Sequence, residues 1–433
     1  MSTNTTTTNE ASKCEGSNIV SESQFAPFAT GATKPMIHQA NATSFNQEKD
    51  EETVLDPVKT IDVKHKNAMA ILSIIYANRK NGIAQKDVVK ILGLKAPSVF
   101  RIFTLLEQAG YIQMVENKGP KVNKIGRRPT GYTIVPTAIY TIGIEFWFSR
   151  LSFGVFDFNR QCVYSAQRDL PRDVQAHEIE DLICEITTTA INKLGIEKSS
   201  IVGVGIAAPG KVNVATGTVI YYPRIQGMED YPLKKNVQSR LGLRVYVHNN
   251  CSALAYSMYR YGVKDPGSSM FAFLIRGGVN GAMVSKKGIY TTADGTTMEA
   301  GHIPVCFDGP KCSCGLTGCL QACLTQLNES ARTDPHSTLL FDSVRDPATL
   351  DRAAHYIYRG MKTIQRSLSP ESFLLICPND YIAENLAMFI KRIFQTEVDR
   401  FQKVKPNIYS IAYDGVMAQA GASDLALDKY FES

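Results

Sequence analysis

The sequence predicts an α/β protein in two parts, a small winged helix-turn-helix unit and a larger α/β region behind it. Three observations carry this reading. Apolar residues recur at helical spacing in three short segments between residues 65 and 110, and two strand-like runs follow them. From about Pro136 strand-like runs alternate with amphipathic helical segments, the texture of sheets covered by helices. Positive charge is concentrated ahead of that change. Residues 61–135 carry 13 Lys/Arg against 4 Asp/Glu, residues 1–60 carry 4 Lys against 8 Asp/Glu, and the whole chain is only +6.

The opening tract "MSTNTTTTNEASKCEGSNIVSESQ" is rich in Thr, Ser and Asn, and no sustained apolar periodicity begins before about Val58. Such a tract buries too little surface to offset its chain entropy, so residues 1–60 are read as a disordered tail. In "NAMAILSIIYANRKNG" Met69, Leu72, Ile75 and Tyr76 form one helical stripe. "AQKDVVKILG" is a second short helix ending at Gly93. "APSVFRIFTLLEQAG" is a third, with Val99, Ile102, Phe103 and Leu106 on one face, and "YIQMVENKGPKVNKIGRRPTGYTIV" reads as two strands around a basic loop. Helix, helix, the turn Gly93-Leu94-Lys95, helix and wing are the winged helix-turn-helix order, over residues 61–135.

In that arrangement the third helix reads DNA. Its apolar stripe faces the other helices and leaves Ser98, Arg101, Thr104 and Gln108 on the opposite face. Arg101 suits a two-pronged contact to guanine in the major groove. Lys118, Lys121, Lys124, Arg127 and Arg128 of the wing suit phosphates, and "GRRP" suits a narrow minor groove. Lys95 stands where a Ser or Thr helix cap is usual; a lost cap costs about 1 kcal/mol. Pro97 in the first turn offsets part of that, and Lys95 is free to meet a phosphate. A three-helix domain used for dimer contacts, with a solvated basic surface, is the competing reading; the basic wing and the polar helix face together favour DNA.

The α/β region, residues 136–433, contains "IYTIGIEFWFSRLSFGVFDFN" as two strands, "AHEIEDLICEITTTAINKLG" as a helix and "IVGVGIAAPG" as a strand entering a Pro-Gly turn. "LRVYVHNNCSALAYSMYRYG" is a strand and helix, "SSMFAFLIRGGVNGAMVSKKGIY" two strands, and the C-terminal part mainly helical with a strand at "SFLLIC". No repeat of 20–50 residues is visible. There is neither an apolar run of about 18 residues nor a basic start followed by an apolar run, so no membrane span or secretory signal is expected. A reducing, cytoplasmic setting follows as an expectation, at the bacterial nucleoid if the chain binds DNA. There cysteines are free thiols or metal ligands.

Four of the ten cysteines crowd into "GHIPVCFDGPKCSCGLTGCL". His302, Cys312, Cys314 and Cys319 give H-x9-C-x-C-x4-C, a tetrahedral Zn²⁺ donor set, with glycines that let the chain fold tightly round an ion. Four protein ligands leave no position open for water, so the zinc is expected to be structural. Cys306 and Cys323 fall outside the spacing and are read as packing residues.

"MEAGHIPVCFDGPKCSCGLTGCLQ" resembles the signature of the ROK family of repressors, open reading frames and sugar kinases. "GVGIAAPGKVNVATGTVIYYPRIQGMEDYPL" and "VYVHNNCSALAYSMYRYG" resemble the same family's Pro-Gly strand and loop and its Asn-Asp segment. The likeness covers about residues 61–433, including the winged domain and "GRRP" of the repressor branch. It implies an N-terminal winged helix-turn-helix followed by a two-lobed actin/hexokinase-like, sugar-kinase-type domain, with the zinc segment at 299–323.

Set against that family, the kinase parts are missing. Glu145-Phe146-Trp147-Phe148-Ser149 matches its Asp-x-Gly-Gly-Thr phosphate turn, and Trp147 and Phe148 replace both glycines. Its Asn-Asp pair is Asn249-Asn250, and an amide cannot act as general base, a loss of about 10² to 10⁴ in rate. No Gly-Gly turn follows "LLIC". Glu299, His302 and Asn249 match the family's sugar contacts, Asn250 still offers an amide, and Gly210 lies in the turn beside them. The family's later Glu is Gln321.

The expected function is a repressor that is not an enzyme. It would bind double-stranded operator DNA as a homodimer or homotetramer and respond to a sugar or sugar-phosphate effector. A vestigial pocket with control by a protein partner, and a sugar kinase, are the alternatives.

Overall fold

The computed structural model describes residues 65–116, 130–328, 340–341, 343–400 and 404–433. The N-terminal tract 1–60 and the wing residues Lys118, Lys121, Lys124, Arg127 and Arg128 lie outside the described residues.

The winged unit forms as its periodicity predicts: α1 His65–Ala77, α2 Gln85–Leu92, α3 Ala96–Gln108, then β1 Ile112–Glu116 antiparallel to β2 Thr130–Ile134. Gly93 closes α2 with φ 66°, the left-handed conformation that glycine adopts without a Cβ penalty. Lys95 precedes α3 with no side-chain cap, and Pro97 stands in its first turn. Val99, Ile102, Phe103 and Leu106 are buried against α1 residues such as Leu72 and Ile75.

Behind it lie two five-stranded sheets. The first contains β3 Tyr140–Trp147, β4 Arg150–Asp157, β5 Cys162–Asp169, β6 Ile201–Ala208 and β10 Val245–Asn249, in the order β10-β6-β3-β4-β5. The second contains β11 Ser269–Ile275, β12 Val279–Ser285, β13 Gly288–Ile289, β14 Ser372–Cys377 and β15 Asn407–Ala412, in the order β13-β12-β11-β14-β15. In each, the first strand opens an antiparallel meander on one side and has two parallel strands on the other. The lobes therefore share one topology, a duplication that no repeat in the sequence reveals. Strands β5 and β15 are additions to the sequence reading, which took the C-terminal part as mainly helical. A small sheet, β7 Lys211–Asn213, β8 Thr218–Tyr221 and β9 Glu229–Tyr231, adjoins the first lobe.

Helices α4 Ala176–Leu194 and α5 Leu233–Leu241 cover the first sheet, and α6 Asn250–Ser257 follows β10. In the second lobe α7 Leu320–Gln326, α8 Pro347–Leu368 and α9 Asp380–Thr396 pack on the other sheet, with Phe271, Phe273 and Phe373 at its centre.

The C-terminal helix, α10 Gly415–Glu432, leaves β15 of the second lobe and lies across the first-lobe sheet. A Cβ at Gly143 or Gly205 would stand 1.8 Å from the α10 carbonyl oxygens of Gln419 and Ala422, so the helix rests on bare backbone. Thr141 and Ser423 share a 2.6 Å hydroxyl hydrogen bond, and Arg160 donates to both Asp424 carboxylate oxygens at 2.6 and 2.8 Å. The far end of α10 enters the winged core. Tyr76 of α1 stacks on Phe158 at 5.4 Å and meets Phe431 at 5.4 Å, while Leu427 and Tyr430 are buried there.

Gly205→Ala is expected to destabilise the chain by about 1–3 kcal/mol, the cost of overpacking a tight contact, read as a lower urea midpoint.

Candidate functional site

The cleft residues share an origin: the carboxyl ends of parallel strands, where ligands bind in open α/β sheets. Glu145 comes near the end of β3, Pro209-Gly210 follows β6, and Asn249 ends β10. From the other lobe Arg276 follows β11 and Tyr413 follows β15.

Glu145 is fully buried and accepts a 2.7 Å hydrogen bond from Nη2 of Arg276, 131 residues away in the opposite lobe. The Arg276 guanidinium lies 4.3 Å from the ring centres of both Trp147 and Tyr413. Trp147 ends β3, and Phe148 continues into the two-residue turn before β4, with the Arg224 guanidinium 4.6 Å over its ring. The segment matching a phosphate turn thus carries aromatic rings and cations held by one another. Sequence reasoning found the bulky substitutions but not Arg276, because nothing in a strand end reports a partner on another sheet.

Gly210 has φ +74°, and a Cβ there would stand 2.3 Å from the Tyr221 carbonyl oxygen, so this turn needs glycine. Asn249 caps α6 by accepting from the Cys251 amide at 2.8 Å and donates from Nδ2 to the Gly210 carbonyl at 2.7 Å. Both ends of its amide are therefore tied to the scaffold, a structural task absent from the sequence reading. Asn250 accepts from the same Cys251 amide at 2.9 Å, and its Nδ2 makes no hydrogen bond among the described residues. Glu299 is exposed, yet the surrounding protein removes enough water to raise its carboxyl pKa, against the opposing pull of Lys211. Lys211 follows Gly210, so Glu299 of the second lobe comes close to the first-lobe turn. Asn213 reinforces that approach by donating to the Asp294 carbonyl at 3.0 Å. Gln321 is turned to a backbone task, accepting from the Val279 amide at 3.0 Å.

The four metal-donor residues of the sequence pattern converge in the second lobe. A donor atom from each of His302, Cys312, Cys314 and Cys319 lies within 4.8 Å of all the others. Cys312 Sγ is 3.4 Å from His302 Nδ1, and Cys314 Sγ is 3.6 Å from Cys319 Sγ. Two thiolates on a tetrahedral zinc at ordinary bond lengths stand about 3.8 Å apart, so the set fits that ion. Burial and the neighbouring Cys314 and Cys312 thiols push Cys319 up to about 12; thiolates this close need a cation to offset their charge. A short hairpin builds the cluster, bridged at Pro304–Cys319 and Lys311–Thr317. A Cβ at Gly318 would fall 1.6 Å from the Cys306 carbonyl oxygen, which explains glycine there. Cys323 is buried and Cys306 packs against the second-lobe core, outside the cluster.

On α3 Arg101, Thr104 and Gln108 are exposed, whereas Ser98 is half-buried. At about 100° per residue Ser98 lies on the flank of the outward face. Thr104 Oγ1 donates to the Phe100 carbonyl at 3.1 Å. Phe100 itself, left out of the sequence reading, is 44% exposed. Among the described residues no helix is long and apolar enough to cross a membrane.

Removing Glu145 would leave Arg276 as a buried unpaired cation. Glu145→Ala is expected to cost about 3–5 kcal/mol in urea unfolding, and adding Arg276→Leu to recover much of it. Elemental analysis of the purified chain is expected to find one zinc per chain, with Cys319→Ala lowering both zinc content and melting temperature.

The chain is similar to known proteins over both its N-terminal and its two-lobed regions. A model described as ROK family matches residues 141–375, and one described as B-block binding subunit of TFIIIC matches residues 66–128. A putative xylose repressor of Caldicellulosiruptor sp. (strain Rt8B.4) is 27% identical over 259 residues, 60% of this chain, and the match spans only 63% of that relative's length. The xylose repressor of Bacillus subtilis (strain 168) is 23% identical over 385 residues, covering 86% of this chain and 97% of its own. Among solved structures, a ROK family transcriptional regulator, homologue of the E. coli MLC protein, superposes with a TM-score of 0.64 at 16% identity, over 86% of this chain and all of that one. A ROK family glucokinase from Streptomyces griseus, solved with glucose and AMPPNP, superposes with a TM-score of 0.54 at 22% identity, over 67% of this chain and 99% of its own. With the family model covering more than half of its 433 residues, the chain belongs to the ROK family.

Proposed function

We propose that this chain is a DNA-binding transcriptional repressor whose two-lobed domain senses a sugar or sugar phosphate without phosphorylating it. The observation that carries the reading is the state of the cleft. The carboxylate of the phosphate-turn segment is paired with Arg276 between two aromatic rings, and an amide, Asn250, stands at the base position. Glu299 and the Asn250 amide nitrogen remain available to hydroxyl groups. The ROK repressors and regulator reported above support the regulatory half of the reading.

The proposed domains are the tail 1–60, the winged domain 61–135 and the two-lobed domain 136–433. Zinc, held by His302, Cys312, Cys314 and Cys319, would act as a structural brace for the segment that carries Glu299. Nδ1 of His302 faces Cys312, and Nε2 of the same ring would serve the sugar pocket. Two winged domains would read a palindromic operator from a homodimer or a larger symmetric assembly. Effector binding changes DNA affinity only through different affinities for two lobe arrangements. The device for this is α10, attached to the second lobe through β15, seated on the first-lobe sheet and buried against α1.

With the full chain, Arg101→Ala is expected to relax sequence preference. Lys121→Ala is expected to weaken binding to all duplexes alike and to lower the slope of log affinity against log salt by about 1. DNA binding without sequence preference or salt dependence would sink the repressor reading, and ATP turnover with hexoses would sink the non-catalytic one. A melting-temperature screen against sugars and sugar phosphates tests the sensor: Glu299→Gln should abolish the shift of an active compound. A flat screen would favour a vestigial pocket under the control of a protein partner.

A further inference from the structure

The outward face of α3 carries a residue that neither core packing nor phosphate binding accounts for. At about 100° per residue, Pro97, Phe100, Arg101, Thr104 and Gln108 fall in one stripe, and all five are exposed. Phe100 stands at one edge of it, opposite Arg101, with 44% of its surface in water, although its neighbours Val99 and Phe103 are fully buried. An aromatic ring left that open forgoes much of the free energy its burial would supply.

The surroundings say what would cover it. Lys86, Lys90, Lys95 and Arg101 are exposed on α2, α3 and the turn between them, whereas the acidic residues of these helices, Asp87 and Glu107, are half-buried. This surface complements a polyanion rather than an apolar protein face. A phenyl ring offers no hydrogen bond to a base edge, and the apolar group that the major groove presents is the C5-methyl of thymine. Thr104 has its hydroxyl proton committed to the Phe100 carbonyl, so Arg101 is the main hydrogen-bonding reader of the stripe and Phe100 its apolar one.

We propose that Phe100 is a specificity-determining residue that packs on the C5-methyl group of a thymine next to the base read by Arg101. This rests on the reading of α3 as the DNA-reading helix.

The experiment uses the full chain to select its preferred duplex from a random library. Each thymine of the selected half-site is then replaced singly by deoxyuridine, which keeps the base pair and removes the methyl. One replacement per half-site is expected to weaken the parent chain about four-fold, the worth of one buried carbon group. Phe100→Ala is expected to bind both duplexes equally, and Phe100→Leu, which keeps an apolar side chain, to retain part of the difference. Unchanged melting temperatures would show that the exposed position leaves the fold intact. A half-site without thymine, a parent chain indifferent to every replacement, or a Phe100→Ala chain as sensitive as the parent would each overturn the assignment while leaving DNA binding in place. Failure to enrich any duplex would overturn the DNA reading itself, and this inference with it.

Discussion

The architecture depends on the close approach of the C-terminal helix to the first-lobe sheet. Two carbonyls of α10 come down where β3 and β6 carry glycine, so no side chain holds the helix away. Polar pairs then lock it in place: Thr141 with Ser423, and Arg160 with Asp424. From that seat the helix does two further things. It ties the second lobe to the first, since its chain emerges from β15, and it supplies Leu427, Tyr430 and Phe431 to the core beneath the winged helices. The small N-terminal unit is therefore continuous in packing with the large domain, and a change in one lobe has a short path to α1.

The cleft shows what a strand-end turn becomes when bulky side chains and an ion pair fill it. A turn that must admit phosphates needs backbone without side chains. Here Trp147 and Phe148 occupy it, with the Arg276 and Arg224 guanidiniums over their rings. An aromatic sandwich around Arg276 and the Glu145 carboxylate each offset part of the cost of burying it. Glu299 stays exposed, and the buried Asn250 amide can donate and accept hydrogen bonds but cannot take up a proton at neutral pH.

Much of this was legible in the chain itself. Helical spacing and the glycine at 93 predicted α1 to α3 because local propensity and burial agree there. The histidine and three cysteines were legible because metal donor types at short separation have few other uses. The glycines of "TIGIEF" and "VGVGIA" were a usable signal of close backbone approach, since glycine inside a strand weakens it without such a reason. Other features depend on tertiary context. The partner of Glu145 is set by how two sheets meet, and the structural tie of Asn249 by a turn 39 residues earlier. Phe100 went unassigned because its apolar character says nothing of exposure, which its angular position on α3 decides. Strand β15, half-buried along much of its length at the sheet edge, lacks the continuous apolar run that marked β14.

The duplicated strand order gives the Glu145–Arg276 pair a particular place. Glu145 lies two residues inside the end of β3 and Arg276 one residue beyond the end of β11, so the pair joins the first strands of the two sheets. A lobe movement that broke this contact would strip a buried cation of its partner, at a cost of about 3–5 kcal/mol. Movements that keep the pair together are the inexpensive ones, and any opening of the Gly210 turn away from Glu299 is constrained to be one of these.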